Sequence, residues 1–287
     1  MNTNRGFNFE KELAEQSGED WALGGTGLTC LAEIPLIDRD KFLPRGELQF
    51  GREDFMDCVP RAINNILKMK FTWLLKNHKL NLANETWFKE KGFVVGDRVE
   101  FSDRFLAINS GTTRAGNSFK SVLDAVRKLG SIPKAKLPAE GWMGFDDYQD
   151  KTKITIEMFE LATEFSKRFF INYERGNESD FVVALTKDPL LTGGFAWPVA
   201  VNGVYPRIEA NPNHAFIIFK PRYFAFDNYD EDKGPGEDWI KQLAPDFDFL
   251  DIGYRITVNQ NEFVLEKKTS FQKFLEALKK YYEEIMR

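Results

Sequence analysis

Cysteine and histidine are scarce: the 287 residues hold two of each, Cys30 and Cys58, His78 and His214. Two thiols exclude a disulfide-rich scaffold and a zinc site built from several thiolates. Two imidazoles argue against a His-rich metal centre. No apolar run reaches the roughly 18 residues that a membrane-spanning helix needs, and residues 1–21 carry no apolar stretch of the kind found in a secretory signal. Charge of one sign is not in surplus either. Lys+Arg 39 against Asp+Glu 44 leaves a net charge of -5, which lacks the basic footprint of a nucleic-acid binder. The expectation is therefore a chain with no metal or organic cofactor, no nucleic-acid partner and no membrane anchor. What is abundant is apolar material: 43% hydrophobic residues, with 27 phenylalanines, enough for a large core.

Along the chain, residues 1–33 are polar and glycine-rich (Gly24-Gly25-Thr26-Gly27) and read as an N-terminal arm. From Asp57 the pattern turns helical. Ala62/Ile63, Ile66/Leu67 and Trp73/Leu74 predict a long helix over 58–76, with Asp57 as N-cap and Pro60 tolerated in the first turn. A polar stretch, 77–115, follows. Val122, Val126 and Leu129, closed by Gly130, predict a second helix, and a third is expected over 154–173. After Gly176 the runs 181–185, 197–201, 215–219, 223–226 and 254–258 are short, β-branched or aromatic, and separated by Gly, Pro and Asn. Residues 270–287 read as a charged amphipathic helix packed on the domain. Helices first and strands second predict an α+β fold with a helical lobe and a β lobe, its main domain spanning 34–269.

Two residues stand out chemically. Cys58 falls at the expected N-terminus of the long helix, where unpaired N–H groups and the positive dipole end favour a thiolate. The competing reading is a buried cysteine acting as a small hydrophobe. His214 opens the apolar strand Ala215-Phe216-Ile217-Ile218-Phe219, a position suited to the rim of a cleft. The turn Lys220-Pro221-Arg222 would fold the following strand back alongside it. That brings Asn228 near the imidazole, where an amide could fix the tautomer; alternatively, Asn228 is a turn residue in a polar loop. Asp227, Asp230, Glu231 and Asp232 read as a solvated acidic turn.

The sequence resembles the papain-like cysteine peptidases through a colinear series of short matches between about 33 and 260. Ile34-Pro35 is similar to the segment entering the catalytic loop, and Gln49 precedes Cys58 as the family's oxyanion-hole glutamine precedes its nucleophile. Gly116-Asn117 and the helix behind it are similar to the substrate-binding strand and its support. Pro198-Val199-Ala200-Val201, Asn213-His214-Ala215 and Ile252-Gly253-Tyr254-Arg255-Ile256 follow in the family's order. The resemblance implies a two-lobed papain-like fold and a Cys58–His214–Asn228 triad with Gln49 in the oxyanion hole. It also implies a substrate strip made of Gly116, Asn117, Asn213 and Ala215. The implied partner is a peptide or protein substrate, cleaved at a peptide or isopeptide bond.

This sequence departs from the family in several places. The Gln-to-Cys gap is nine residues, Cys58-Val59 replaces Cys-Trp, and no tryptophan follows Asn228, for which Tyr229 or Trp239 would have to stand in. The family's disulfides are missing, which suits a reducing compartment or a particle assembled inside a cell. Residues Phe101–Leu106 suggest kinship with phage-encoded members. That kinship would imply association with a viral particle and a cytoplasmic or virion location. Two alternatives remain open: a catalytically inactive papain-like module with a structural or binding role, and a cell-wall-degrading Cys/His peptidase. The 156-residue interval from Cys58 to His214 disfavours the latter.

Overall fold

The computed structural model describes residues 6–15, 30–197, 200–221, 223–228 and 239–261. Its helices are α1 (Phe9–Glu15), α2 (Arg39–Phe42), α3 (Cys58–Lys76), α4 (Leu82–Glu90), α5 (Asp103–Asn109), α6 (Phe119–Leu129), α7 (Phe145–Tyr148), α8 (Ile156–Arg168) and α9 (Phe181–Lys187). A two-stranded ribbon pairs β1 (Val94–Val95) with β2 (Arg98–Val99). The main sheet contains β3 (Phe169–Gly176), β4 (Leu190–Gly194), β5 (Val204–Tyr205), β6 (His214–Lys220), β7 (Phe224–Phe226), β8 (Ile240–Leu243) and β9 (Gly253–Gln260). Their order is β3-β9-β4-β6-β7-β8-β5. Every pairing is antiparallel except β5 with β8. The result is the expected α+β arrangement. Among the described residues no helix is long and apolar enough to cross a membrane.

Helix α3 is the axis between the two halves. It packs against α5 and α6 on the helical side and against β6 on the sheet side, so almost its whole length is buried. A helix buried all round cannot keep its charged residues in water, so each needs a partner. Lys70 Nζ lies 2.6 Å from Asp188, whose other oxygen accepts from Arg255 Nε at 2.7 Å, tying α3 to β9. Lys68 sits among Glu100, Asp103 and Glu47, and Arg61 spans Asp57 and Asp103. Burial works to raise the Glu47 carboxyl, but Lys68, Lys134 and Arg61 outweigh it and hold the group down at about 2.

The remaining core is aromatic. Phe71 on α3 meets Phe88, Phe101, Phe165 and Phe169 with ring centroids 4.9–5.6 Å apart, within the range where tilted and edge-on pairs attract.

The helix over 58–76 and the helix closed by Gly130 are where the periodicity puts them. Elsewhere the structure corrects the sequence reading. The helix expected over 154–173 ends at Arg168; Phe169 starts β3, an eight-residue strand paired along its length with β9. The run 181–185, read as a strand, is helix α9, which covers the sheet with Phe181 and Leu185. Among the described residues of 197–201 there is no strand, only a bridge from Val201 to Val204; Pro198 and Val199 lie outside the described residues. The segment 77–115 holds two helices and a hairpin. The arm contains α1, docked on α6. The terminal helix expected over 270–287 lies outside the described residues.

Replacing Phe71 with alanine should cost about 3–5 kcal/mol, because four rings lose their common neighbour. Urea unfolding of the variant beside the wild type would measure it, and a loss under 1 kcal/mol would contradict the central role assigned to this ring.

Candidate active site

Cys58 is the first residue of α3, and β6, which packs on α3, begins with His214. The thiol takes the backbone N–H of Ala215. Asp57 precedes the helix, as expected, but its side chain does not cap it. The carboxylate is fully buried, accepts both contacts of Arg61 Nε at 2.9 and 3.0 Å, and also receives the Tyr148 hydroxyl. That clamp fixes the turn leading into Cys58.

The imidazole of His214 is bound by Asp227, not Asn228. Nε2 lies 2.6 Å from Asp227 Oδ1, with both residues buried. With the Nε2 proton committed to a carboxylate, Nδ1 is the ring nitrogen that carries the lone pair. Asp227 is itself held from several sides. Its Oδ1 accepts the Asn228 backbone N–H, and its Oδ2 accepts Trp197 Nε1 at 2.5 Å and faces Lys241 Nζ at 3.6 Å. Burial would raise this carboxyl, but the charges of His214 and Lys241, with the bonds from His214 and Trp197, bring it below its ordinary value. Asp227 is therefore an ionised buried anion, not a member of a solvated turn; Asp230, Glu231 and Asp232 lie outside the described residues.

The expected triad partner, Asn228, has other bonds. Its side chain receives Asn65 Nδ2 and donates to the Glu47 carbonyl at 2.7 Å, and its carbonyl accepts the Gln49 N–H at 3.0 Å. Asn228 thus anchors the loop that carries Gln49. One N–H of the Gln49 amide donates to Asp54 Oδ1 at 3.0 Å, and the same oxygen accepts the Met56 N–H at 2.7 Å. The indole over the His–Asp pair is that of Trp197, whose ring stands edge-on to the imidazole at 6.0 Å. Of the two proposed substitutes, Trp239 packs over Gly46 instead, and Tyr229 lies outside the described residues.

Of the predicted strip, Ala215 gives its N–H to Cys58, while Gly116, Asn117 and Asn213 are brought together by residues 6–8 of the arm, which run along them. Asn117 gives its N–H to the Gly6 carbonyl at 3.0 Å and takes the Asn8 N–H at 2.9 Å, while Phe7 N–H reaches the Asn213 carbonyl at 3.3 Å. The segment thus makes a parallel bridge, Phe7 with Asn117. Phe7 buries its ring against Phe119, and Lys11 Nζ donates to Asn117 Oδ1 at 2.8 Å. Behind them, α1 presents carboxylates to the N-terminus of α6. Glu12 accepts the Phe119 N–H at 2.7 Å and the Tyr254 hydroxyl at 2.6 Å, and Glu15 accepts the hydroxyls of Ser118 and Ser121. Those N–H groups and the helix dipole favour anions there. Burial nevertheless raises the Glu12 carboxyl above its ordinary range, outweighing the bonds it accepts. No signal in the sequence marked Phe7, Trp197 or Lys241 as site residues.

Neither a family model nor a curated protein matches the sequence, but solved structures do. Xylellain, a cysteine protease from Xylella fastidiosa, superposes with a TM-score of 0.57 at 12% identity, over 91% of this chain and 98% of that one. The ragweed pollen cysteine protease Amb a 11, in its proform, gives 0.51 at 16% identity, over 93% and 78%. The procathepsin L2 proteinase of the Tenebrio molitor midgut gives 0.50 at 10%, over 88% and 78%. The chain has the papain-like peptidase fold; the kinship with phage proteins finds no support in these matches.

Cys58 is 1% exposed. Burial pushes its thiol well above the ordinary thiol range; the Ala215 N–H opposes this, and Asp54, Asp57 and Asp227 add to it. The thiol therefore stays protonated through neutral pH. In the intact chain at pH 7, iodoacetamide should label Cys58 at least about tenfold more slowly than in the urea-denatured chain, with the rate climbing only toward alkaline pH. Peptide mass spectrometry reads this, and fast labelling at pH 6 would contradict it.

Proposed function

We propose that the protein is a cysteine peptidase whose cleft is closed by its own N-terminal segment. The observation that carries this reading is that Cys58, at a helix N-terminus, takes the N–H of Ala215, the residue after a histidine held by a buried anionic carboxylate. The triad is Cys58, His214 and Asp227. Asn228 supports the loop carrying Gln49 instead of contacting the imidazole.

In the open form, His214 Nδ1 takes the Cys58 proton and the sulfur attacks the carbonyl carbon of the scissile amide. The oxyanion is met by the Cys58 backbone N–H and the Gln49 amide, each such donor being worth about 10²–10³ in rate. The intermediate collapses to a thioester as the C–N bond breaks, and the imidazolium proton goes to the leaving nitrogen. Water, deprotonated by His214, then adds to the thioester, releasing the acid and restoring the thiol. Asp227 keeps Nε2 protonated throughout and stabilises the imidazolium. Isopeptide bonds present the same carbonyl and fall within this chemistry.

The peptide strand added along Asn117 and Asn213 supports the closed state, because it uses the backbone groups an extended substrate would need. It also raises the thiol by excluding water. Placing a charge in the Phe7 pocket with Phe7→Asp should release the segment. Casein hydrolysis and Cys58 labelling should then both rise at least about tenfold, a modest share of the energy of burying such a ring. Unchanged rates would dismiss self-inhibition.

In that released background Cys58→Ala should abolish hydrolysis with the circular dichroism spectrum unchanged. Asp227→Ala should lower kcat by about 10²-fold or more with a smaller effect on KM. Persistent hydrolysis by Cys58→Ala would remove the peptidase reading. Efficient labelling without hydrolysis of any substrate would favour the inactive binding module.

A further inference from the structure

The alternation along β8 places a lysine where an apolar side chain would ordinarily sit. Ile240 and Gln242 are exposed, whereas Lys241 and Leu243 are buried. Lys241 is 3% exposed and stands opposite Ala225 on β7. Residues two apart along a strand share a face, so Asp227 is turned the same way as Ala225. Its N–H to the Trp239 carbonyl, at 3.0 Å, continues the pairing of the two strands. The residue opposite the lysine carries only a methyl group, which leaves the stem room to lean toward Asp227.

The ammonium ends 3.6 Å from Asp227 Oδ2 and 5.4 Å from the centre of the Trp197 ring. At 3.6 Å the contact is an ion pair, longer than a hydrogen bond, and the same oxygen keeps its bond from Trp197 Nε1 at 2.5 Å. Lysine is rarely buried this far, because its charge loses water. An apolar side chain would fill the position at less cost, and the group that the ammonium meets is the carboxylate holding His214. A neutral amide beside the imidazole, of the kind the resemblance implied at Asn228, needs no countercharge. A buried carboxylate does. The titratable groups that face Asp227 are His214 from β6, Lys241 from β8 and Cys58 at the start of α3, whose thiol the Asp227 charge raises. In the reaction His214 exchanges a proton and Cys58 loses one, whereas Lys241 takes no part in that exchange.

We propose that Lys241 is a positioning residue of the site: its ammonium is the countercharge that keeps Asp227 the acceptor of His214 Nε2, so that the pair Asp227–Lys241 holds the place of a neutral amide. The catalytic meaning of this role rests on the peptidase reading; the role itself does not. Its sign follows from the charges. Burial raises the Asp227 carboxyl, and the charges of His214 and Lys241 bring it down. Without the lysine the carboxyl takes up its proton at a higher pH, and the bond to the imidazole then loses its anionic acceptor.

The test uses the full chain with isotope-labelled histidine, read by nuclear magnetic resonance. Only two histidines contribute signals, and His78→Gln assigns them. The Nε2 proton that His214 shares with a carboxylate resonates far downfield, and its signal is followed as the pH is lowered. In Lys241→Met the pH at which the signal is lost should rise by at least about one pH unit, as expected for removing a charge so close in a protein interior. Lys241→Arg should stay near the wild type. Lys241→Gln, which can still hydrogen-bond to Asp227, should shift as the Met variant does, and it replaces that variant if Lys241→Met does not fold. An unmoved signal in the neutral variants, or an equal shift in Lys241→Arg, would overturn the role. Casein hydrolysis in the Phe7→Asp background is read separately, and the acid limb of kcat/KM should move up in parallel in Lys241→Met. A shifted signal without hydrolysis by the lysine-bearing protein upholds the positioning role and removes the peptidase reading. Hydrolysis with an unmoved signal does the reverse.

Discussion

The site depends on one buried anion. Asp227 carries its charge where water cannot reach it, and such a charge is tolerated only when donors and a countercharge surround it. The His214 ring, the Trp197 indole, the Asn228 N–H and the Lys241 ammonium supply these from four parts of the chain. Lys241 also lies 5.4 Å over the Trp197 ring, a cation–π contact that joins the two supports. The consequence for His214 is a defined tautomer and a fixed ring orientation.

Strand register explains why the sequence pointed to the neighbouring residue. β6 and β7 form the hairpin that the Lys220-Pro221-Arg222 turn suggests, with Ile217 opposite Phe226. Directly opposed residues share a face, and faces alternate along each strand. His214 lies three residues from Ile217 and Asp227 one residue from Phe226, so both fall on the opposite face together. Asn228 returns to the face of Phe226, toward Asn65 on α3. A hairpin's existence is legible from turn residues and apolar runs; its register depends on packing and on the irregularity between Ile218 and Lys220. A one-residue slip was enough to exchange the two roles.

The same division between local and tertiary information runs through the fold. Helix α3 and the places of Cys58 at a helix start and His214 at a strand start were legible because their signals are local: a periodic apolar stripe and the residues that open each element. Phe181–Leu185 is β-branched and apolar enough to read as a strand, but the sheet needs a cover at that point and the segment meets it as a helix. Phe169 continues the apolar spacing of α8, yet pairing with β9 takes it into β3. Trp197 reaches Asp227 across 30 residues of sequence, and no spacing rule relates the two. The buried charges of α3 look like surface residues in sequence because their partners, Asp103, Glu100 and Asp188, come from other elements.

In the closed form proposed above, closure of the cleft and the state of the thiol are linked. Burial, more than any nearby charge, raises the Cys58 thiol, and the arm would contribute to that burial. Departure of the segment therefore opens the strip along Asn117 and at the same time relieves the burial that opposes thiolate formation, leaving the helix N-terminus and His214 to favour it. The arm's hold has its own pH dependence. Glu12 is raised by burial where it meets α6, so the docked arm keeps its proton more tightly than the released arm. Its contribution to docking is whole below the ordinary glutamate range and is lost as pH rises through the raised value. A more alkaline medium thus loosens the cover and favours the thiolate beneath it, and both effects shift the protein toward the reactive form.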